Sequence, residues 1–133
     1  MKRLIAFTTL TLAALTGAAQ AEDMMYSHLV FFDLKDDSAE ARQALVDGFD
    51  TYLAPHDGIV VYTASIRDAD KQRDVNDGDF DVALTIIFDS EEAQDAYQIT
   101  DAHKQFIAEL SDNWERVRVF DSQIAGAEFN LGG

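Results

Sequence analysis

The chain contains no cysteine among its 133 residues, and this absence excludes several kinds of protein. Disulfide bonds cannot hold the fold, so its stability must come from core packing, extended by subunit contacts where these exist. A lipid-anchored lipoprotein is excluded, because no cysteine is available to carry the lipid. The sequence also has no HExxH motif, paired HxH motif or cysteine ligand set. We therefore expect neither a metal ion nor an organic cofactor.

Basic residues are scarce as well. The chain has 10 Lys and Arg residues against 25 Asp and Glu residues, which gives a formal net charge of −15. Nucleic acids and anionic lipids gain affinity from Lys and Arg, so neither is an expected partner. The acidic surface is explained by the solubility of an exported protein, and by itself it defines no binding site.

The first 21 residues have the pattern of a signal peptide. Lys2 and Arg3 precede an apolar run from Leu4 to about Leu15, and Ala19-Gln20-Ala21 supplies small residues at a cleavage site. The run is too short to span a bilayer as a stable anchor, although a retained anchor is the alternative. We expect cleavage after residue 21, a mature chain with 8 basic and 25 acidic residues, and a periplasmic or secreted location without membrane attachment.

The rest of the chain is predicted to form one α+β domain over residues 22–122, followed by a flexible tail over residues 123–133. Strands are predicted over residues 26–34, 58–66, 80–88 and 116–122. Helices are predicted to follow N-cap candidates at 36–38, 89–90 and 100, and to end near residues 53, 98 and 114. The order β-α-β-β-α-α-β is the ferredoxin-like split βαβ pattern, a four-stranded antiparallel sheet with helices on one face.

The first strand is apolar on both faces. One face would carry Tyr26, His28, Val30, Phe32 and Leu34, and the other would carry Ser27, Leu29, Phe31 and Asp33. The helices can cover only one of these faces. A second copy of the chain is the expected cover for the other, which would give a homodimer that closes a barrel through the sheet face.

Three segments together resemble the stress-responsive dimeric α/β-barrel family, called Dabb. They are Ser27-His28-Leu29-Val30 in the first strand, residues 80–84 in the third strand, and residues 97–106 around the last helix. The resemblance covers about residues 26–121. It implies a homodimeric α/β barrel, in agreement with the two-sided apolar strand.

Some plant members of this family are polyketide cyclases, and the resemblance to them includes His28, Tyr97 and His103. It implies an apolar cavity that binds a small carbonyl-bearing or aromatic molecule, with cofactor-free proton abstraction and aldol-type chemistry. His103 would be the base, Tyr97 the hydroxyl donor, and His28 would position a carbonyl. The chain departs from the family where His-Pro-Ala-His is replaced by residues 100–103, and where Gly-Tyr is replaced by Asp79-Phe80.

The position of His103 also favours this role on physical grounds. It lies three residues after the N-cap candidate Thr100, and a helix N-terminus disfavours an added positive charge. The imidazole should therefore stay neutral and able to accept a proton.

Several alternatives remain open at this point. His28 and His103 could be packed core residues of a non-enzymatic, stress-responsive binding or interaction module. The aromatic residues could serve a haem or aromatic monooxygenase, although strand and helix spacing already explains them as core. His56 is expected to be solvated, and residues 74–79 are expected to be a solvated loop because they match a calcium-binding loop only in part.

Overall fold

The computed structural model describes residues 24–130 and 132. The predicted signal peptide, residues 1–21, lies outside this part of the chain. The regular elements of the described part are β1 (Tyr26–Leu34), α1 (Ala39–Gly48), a π-helical turn (Phe49–Leu53), β2 (Ile59–Ile66), β3 (Val82–Phe88), α2 (Glu91–Gln98), α3 (Asp101–Leu110), a 3₁₀ turn (Ser111–Asn113) and β4 (Trp114–Gln123). No helix within the described ranges is both long enough and apolar enough to cross a membrane.

The four strands form one antiparallel sheet in the order β2-β3-β1-β4. Strand β1 is therefore central and pairs with β3 on one side and β4 on the other. The predicted ferredoxin-like fold is confirmed, and all three helices lie on one face of this sheet. We call this the helix side and the opposite face the open side.

Side chains of β1 alternate between the two faces of the sheet as predicted, so every second one packs into the core on the helix side. Val30, Phe32 and Leu34 are buried there, together with His28. Phe49, at the start of the π-helical turn, has no exposed surface, and its ring lies 5.3 Å from the Phe32 ring and 5.5 Å from the Phe106 ring. The first strand, the first helix and the last helix thus meet at Phe49.

The first helix is shorter than predicted, and this expectation is corrected. It begins after Ser38, whose side chain accepts from the Ala41 amide, and its α-helical part ends at Gly48. A Cβ at Gly48 would lie 2.1 Å from Leu110 Cδ1, so the glycine lets α3 approach closely. The π-helical turn that follows keeps both Phe49 and Leu53 buried.

The boundaries of the last two strands also differ from the prediction. Strand β3 begins at Val82 rather than residue 80, and the buried Asp81 just before it accepts from the Leu34 amide through Oδ2. Strand β4 begins at Trp114 rather than residue 116. The last helix stops earlier than expected because the Asn113 side chain bonds the backbone of Asp36 through both its oxygen and its nitrogen.

The open side of the sheet is partly covered by the chain itself. The Phe80 ring lies 5.1 Å from the Phe31 ring, and the Asp77 carboxylate accepts from Arg118 Nη1 at 2.7 Å. The connection between β2 and β3 is therefore not merely a solvated loop, since it packs against one end of this face. Leu29, near the other end, remains partly exposed.

We expect Phe49→Ala to destabilise the fold by about 3–5 kcal/mol, because it removes a ring that is fully buried between two others. Urea unfolding monitored by circular dichroism would measure the change. Ile99→Ala is the matched control, since Ile99 is 72% exposed and should change the free energy of unfolding by no more than about 0.5 kcal/mol. A loss below about 1 kcal/mol for Phe49→Ala would contradict this view of the core.

Candidate active site

A cavity of about 360 Å³ lies between the helix side of the sheet and helices α2 and α3. Its polar lining residues are His28, Gln94, Tyr97, Gln98, His103 and Asp121. Its apolar lining residues are Val30, Phe32, Leu53, Leu84, Phe106, Ile107, Trp114, Val117 and Val119. All three predicted site residues therefore line one cavity.

Tyr97 is the centre of the polar group. It lies near the end of α2 and is only 1% exposed. Its ring centroid is 4.9 Å from that of His103 and 5.8 Å from that of His28. Burial raises the pKa of the Tyr97 phenol. The hydroxyl group therefore stays protonated at neutral pH and can donate a hydrogen bond.

His28 is held by a carboxylate from the neighbouring strand. Its Nδ1 lies 2.6 Å from Asp121 Oδ1, and the His28 side chain is buried whereas Asp121 is at the edge of exposure. Because an ionised carboxylate only accepts, Nδ1 is the donor. This fixes the ring orientation and leaves Nε2 as the nitrogen available to a ligand.

His103 lies in the first turn of α3. Its backbone amide donates to Thr100 Oγ1 at 3.1 Å, so the predicted N-cap is confirmed and sets the position of the histidine. Burial lowers the pKa of the His103 imidazole, and the nearby charge of His28 lowers it further. The imidazole is thus mainly neutral at neutral pH, as its sequence position predicted, although burial is the principal cause.

His56 is not simply solvated, contrary to expectation. It is half-buried, and its ring centroid lies 5.4 Å from that of Tyr97. The turn reaches this place because Gly58 has a φ of 87° and lies so close to α2 that an added Cβ would be 2.6 Å from Ala93 Cβ. His56 packs behind Tyr97 but does not line the cavity.

Several residues of the site were missed from the sequence, namely Gln94, Gln98, Asp121 and Trp114. Asp121 pairs with His28 because the β1–β4 register places them opposite each other. Trp114 was predicted to end a helix, but it begins β4 and lines the cavity. Its buried indole nitrogen has no hydrogen-bond partner among the described residues. The alternation of β4 was the available signal for Asp121, because residues 117, 119 and 121 share a face.

The acidic loop provides no cluster of metal ligands in the part of the chain that is described, and neither do the histidines. The Asp77 carboxylate forms an ion pair with Arg118 and also accepts a hydrogen bond from the Asp79 amide. The Arg118 hydrogen bond is the main cause that keeps the pKa of Asp77 below its usual range.

The His103 imidazole is expected to titrate below the ordinary value of 6.5, as measured from its ring proton resonances by NMR. Between the pKa of His103 in the folded chain and 6.5, the unfolded chain binds more protons than the folded chain. The contribution of His103 to the free energy of unfolding therefore falls as the pH drops through this range. His28→Gln should raise the His103 pKa, because it removes the electrostatic effect of His28, which is the second cause of the lowered value after burial. An unchanged titration in this variant, or an equal shift in the control His56→Gln, would contradict the assigned cause.

Comparison with known proteins identifies the family. Residues 27–124 match the family model of the stress responsive A/B barrel domain, Dabb. A Dabb family protein with a ferredoxin-like fold from Mesorhizobium loti is 18% identical, with a TM-score of 0.63, over 78% of this chain and all of that one. A dimeric ferredoxin-like protein of unknown function from Thermobifida fusca is 15% identical, with a TM-score of 0.63, over 80% of this chain and 96% of that one.

A hydroxynitrile lyase from Passiflora edulis is also similar, with 15% identity and a TM-score of 0.64 over 81% of this chain and 99% of that one. At these identities the solved structures show a shared fold. No curated protein matches the chain. The match to the family model covers most of the sequence, and the chain therefore belongs to the Dabb family of stress responsive A/B barrel domains.

Proposed function

We propose that this protein binds a small carbonyl-bearing or aromatic molecule in the cavity and abstracts a proton next to its carbonyl group without a cofactor. The observation that carries this proposal is the convergence of His28, Tyr97 and His103 on one largely apolar cavity of about 360 Å³. We further propose that the protein is exported after loss of residues 1–21 and works as a homodimer in the periplasm or outside the cell.

The size and lining of the cavity support a small ligand. Ligand pockets in proteins usually have volumes of roughly 300–1,000 Å³, and this cavity lies at the low end of that range. Phe32, Phe106 and Trp114 form its aromatic part, with ring centroids 5.1–6.4 Å apart. A molecule with a single ring suits this space better than a macrocycle, which disfavours the haem alternative.

The proposed reaction uses the polar end of the cavity. A neutral imidazole of His103 would take the proton from the carbon, and the electron pair of the broken C–H bond would form an enolate. The Tyr97 hydroxyl would donate to the developing enolate oxygen. His28, when protonated and paired with Asp121, would donate from Nε2 to the carbonyl oxygen and hold the carbonyl group in place. In a cyclase-type reaction the enolate carbon would bond to a second carbonyl carbon of the same molecule, and the oxygen of that carbonyl would take the proton from His103. In a lyase-type reaction the enolate would expel a leaving group with its bonding electron pair, and the proton would pass to that group.

The similarity to solved structures adds only indirect support. The Passiflora edulis protein is a hydroxynitrile lyase, and its fold is shared by this chain. At 15% identity this likeness supports the architecture, and the reaction is argued from the cavity of the present chain.

The proposed homodimer would cover the open side of the sheet. Leu29, Phe31 and Ile87 point to this side and are only partly buried in the single chain. Such an apolar patch is rare on the surface of a monomer, and a two-fold pair of identical patches covers it most simply. The Thermobifida fusca protein of the same fold is described as dimeric.

The proposal predicts that the protein exchanges the methyl hydrogens of acetophenone, an aromatic ketone, for deuterium, as measured by NMR. His103→Gln should slow this exchange roughly 100-fold or more by removing the base. Tyr97→Phe should slow it roughly 10- to 100-fold by removing the donor to the oxygen. Tyr62→Phe is the matched control, because the Tyr62 hydroxyl bonds Asp50 and Tyr62 does not line the cavity.

Ligand binding would be measured on the same variants, using the fluorescence of Trp114, the only tryptophan of the chain. Binding without any exchange above the solvent rate would overturn the catalytic role and leave a non-enzymatic binding module. Equal binding and exchange in wild type and His103→Gln would remove the assignment of the site.

A further inference from the structure

We propose that the cavity selects uncharged ligands and rejects carboxylates and phosphates, because no basic side chain of the described residues faces it and acidic groups lie around its polar end. This inference rests on the proposed function, since it names the class of molecule that the same cavity takes. The ligand is expected to be uncharged, because the described part of the chain places its few basic residues away from the cavity.

The two arginines of β4 both point away from the cavity. Arg116 and Arg118 lie opposite Asp33 and Phe31 of β1, which places them on the open side of the sheet. Arg118 is bound there to Asp77. The cavity side of the same strand carries Val117, Val119 and Asp121 instead. Strand β4 thus presents its positive charges on the open side of the sheet, away from the cavity.

The two helices that close the cavity add no positive charge to it. Helix α2 has no Lys or Arg at all. Helix α3 has only Lys104, whose side chain is 65% exposed and lies 3.8 Å from Asp101 on the outer surface. Among the described residues that line the cavity there is no Lys or Arg.

The surroundings of the polar end are acidic. Asp121 lines the cavity itself, and Glu91 and Asp95 lie on α2 beside the start of β1. Tyr26, two residues before His28, lies within reach of all three charges. The pKa of the Tyr26 phenol is raised first by desolvation and then by the charges of Asp121, Glu91 and Asp95. An anion entering here would meet repulsion.

The imidazoles of His28 and His103 do not supply the missing positive charge. A positive charge on His28 would be neutralised by Asp121 at 2.6 Å. His103 is held neutral by burial and by its proximity to His28. A carboxylate or phosphate that enters the polar end would therefore lose part of its hydration without gaining a counter-charge, which is unfavourable.

The cavity does offer hydrogen-bond donors that carry no charge. These are the Tyr97 hydroxyl and the amide groups of Gln94 and Gln98. Neutral donors of this kind match a ketone, aldehyde or amide oxygen, which accepts hydrogen bonds without bringing a charge. An uncharged carbonyl compound can therefore bond to these donors without a counter-charge, whereas the corresponding carboxylate brings a negative charge that no group in the cavity balances.

The test compares benzamide with benzoate, which have nearly the same shape but differ by one negative charge. Titrations would be read from Trp114 fluorescence and from its indole N–H resonance, at about pH 8, where an unperturbed imidazole is mostly neutral. We expect benzamide to bind and benzoate to bind at least about tenfold more weakly. Saturable changes at the single indole group would locate the ligand in the cavity.

Val119→Lys makes the test independent of the wild-type comparison. Val119 lines the cavity and is 51% exposed, so a lysine fits there without being buried. This variant should gain affinity for benzoate by about tenfold and change its affinity for benzamide by less than about twofold. Val75→Lys is the control, because it adds the same charge at an exposed loop residue outside the cavity, and it should leave both affinities unchanged.

The outcomes separate this inference from the proposed function. Equal or tighter binding of benzoate to the wild type would overturn the charge selection and leave a ligand-binding cavity in place. If Val75→Lys gained as much affinity for benzoate as Val119→Lys, the position of the charge would not matter, and the argument from the cavity lining would be overturned. Failure of both compounds to perturb Trp114 at saturating concentrations would overturn the proposed function and, with it, this inference.

Discussion

The structure depends on one constraint, which is that the central strand β1 is apolar on both of its faces. On the helix side, Val30, Phe32 and Leu34 carry the core, and His28 is the only polar residue in that buried row. The helices cannot cover all of this side equally. Where α2 and α3 diverge from β4, a cavity remains, and the buried polar residue of β1 faces it.

The chemistry of the cavity follows from this arrangement. A buried histidine would be costly without a partner, and Asp121 supplies one from the neighbouring strand. Tyr97 packs over the pair from α2, while the Thr100 cap fixes His103 beside it. Three groups from three different elements thus meet at the polar end of an otherwise apolar space. Because each is positioned by secondary structure rather than by a mobile loop, the site is formed before any ligand enters.

The sequence predicts the features that depend on local patterns. Alternation in β1 identified both of its faces, and the capping residues Ser90 and Thr100 marked where two helices begin. Pairing of His28 with Asp121 could not be read in this way, because it depends on a register between strands 93 residues apart in sequence. The same reason explains why Asp77 was predicted as a loop residue in solvent, whereas it pairs with Arg118.

Helix details escaped prediction for a different physical reason. The change from an α-helix to a π-helical turn at Phe49 accompanies the close approach of Leu110 to Gly48, which is a tertiary contact. His56 likewise packs on Tyr97 because Gly58 lets its turn approach α2. Composition near these residues indicated where a helix would end, but not which distant surface the following turn would meet.

The open side of β1 gives the most direct test of the account. Sedimentation equilibrium of the chain beginning at Glu22 would measure its mass in solution across a wide range of concentrations. The account predicts a species of twice the chain mass, because the partly exposed apolar residues of the open side need a second copy to cover them. A stable monomer at the highest concentrations would contradict it.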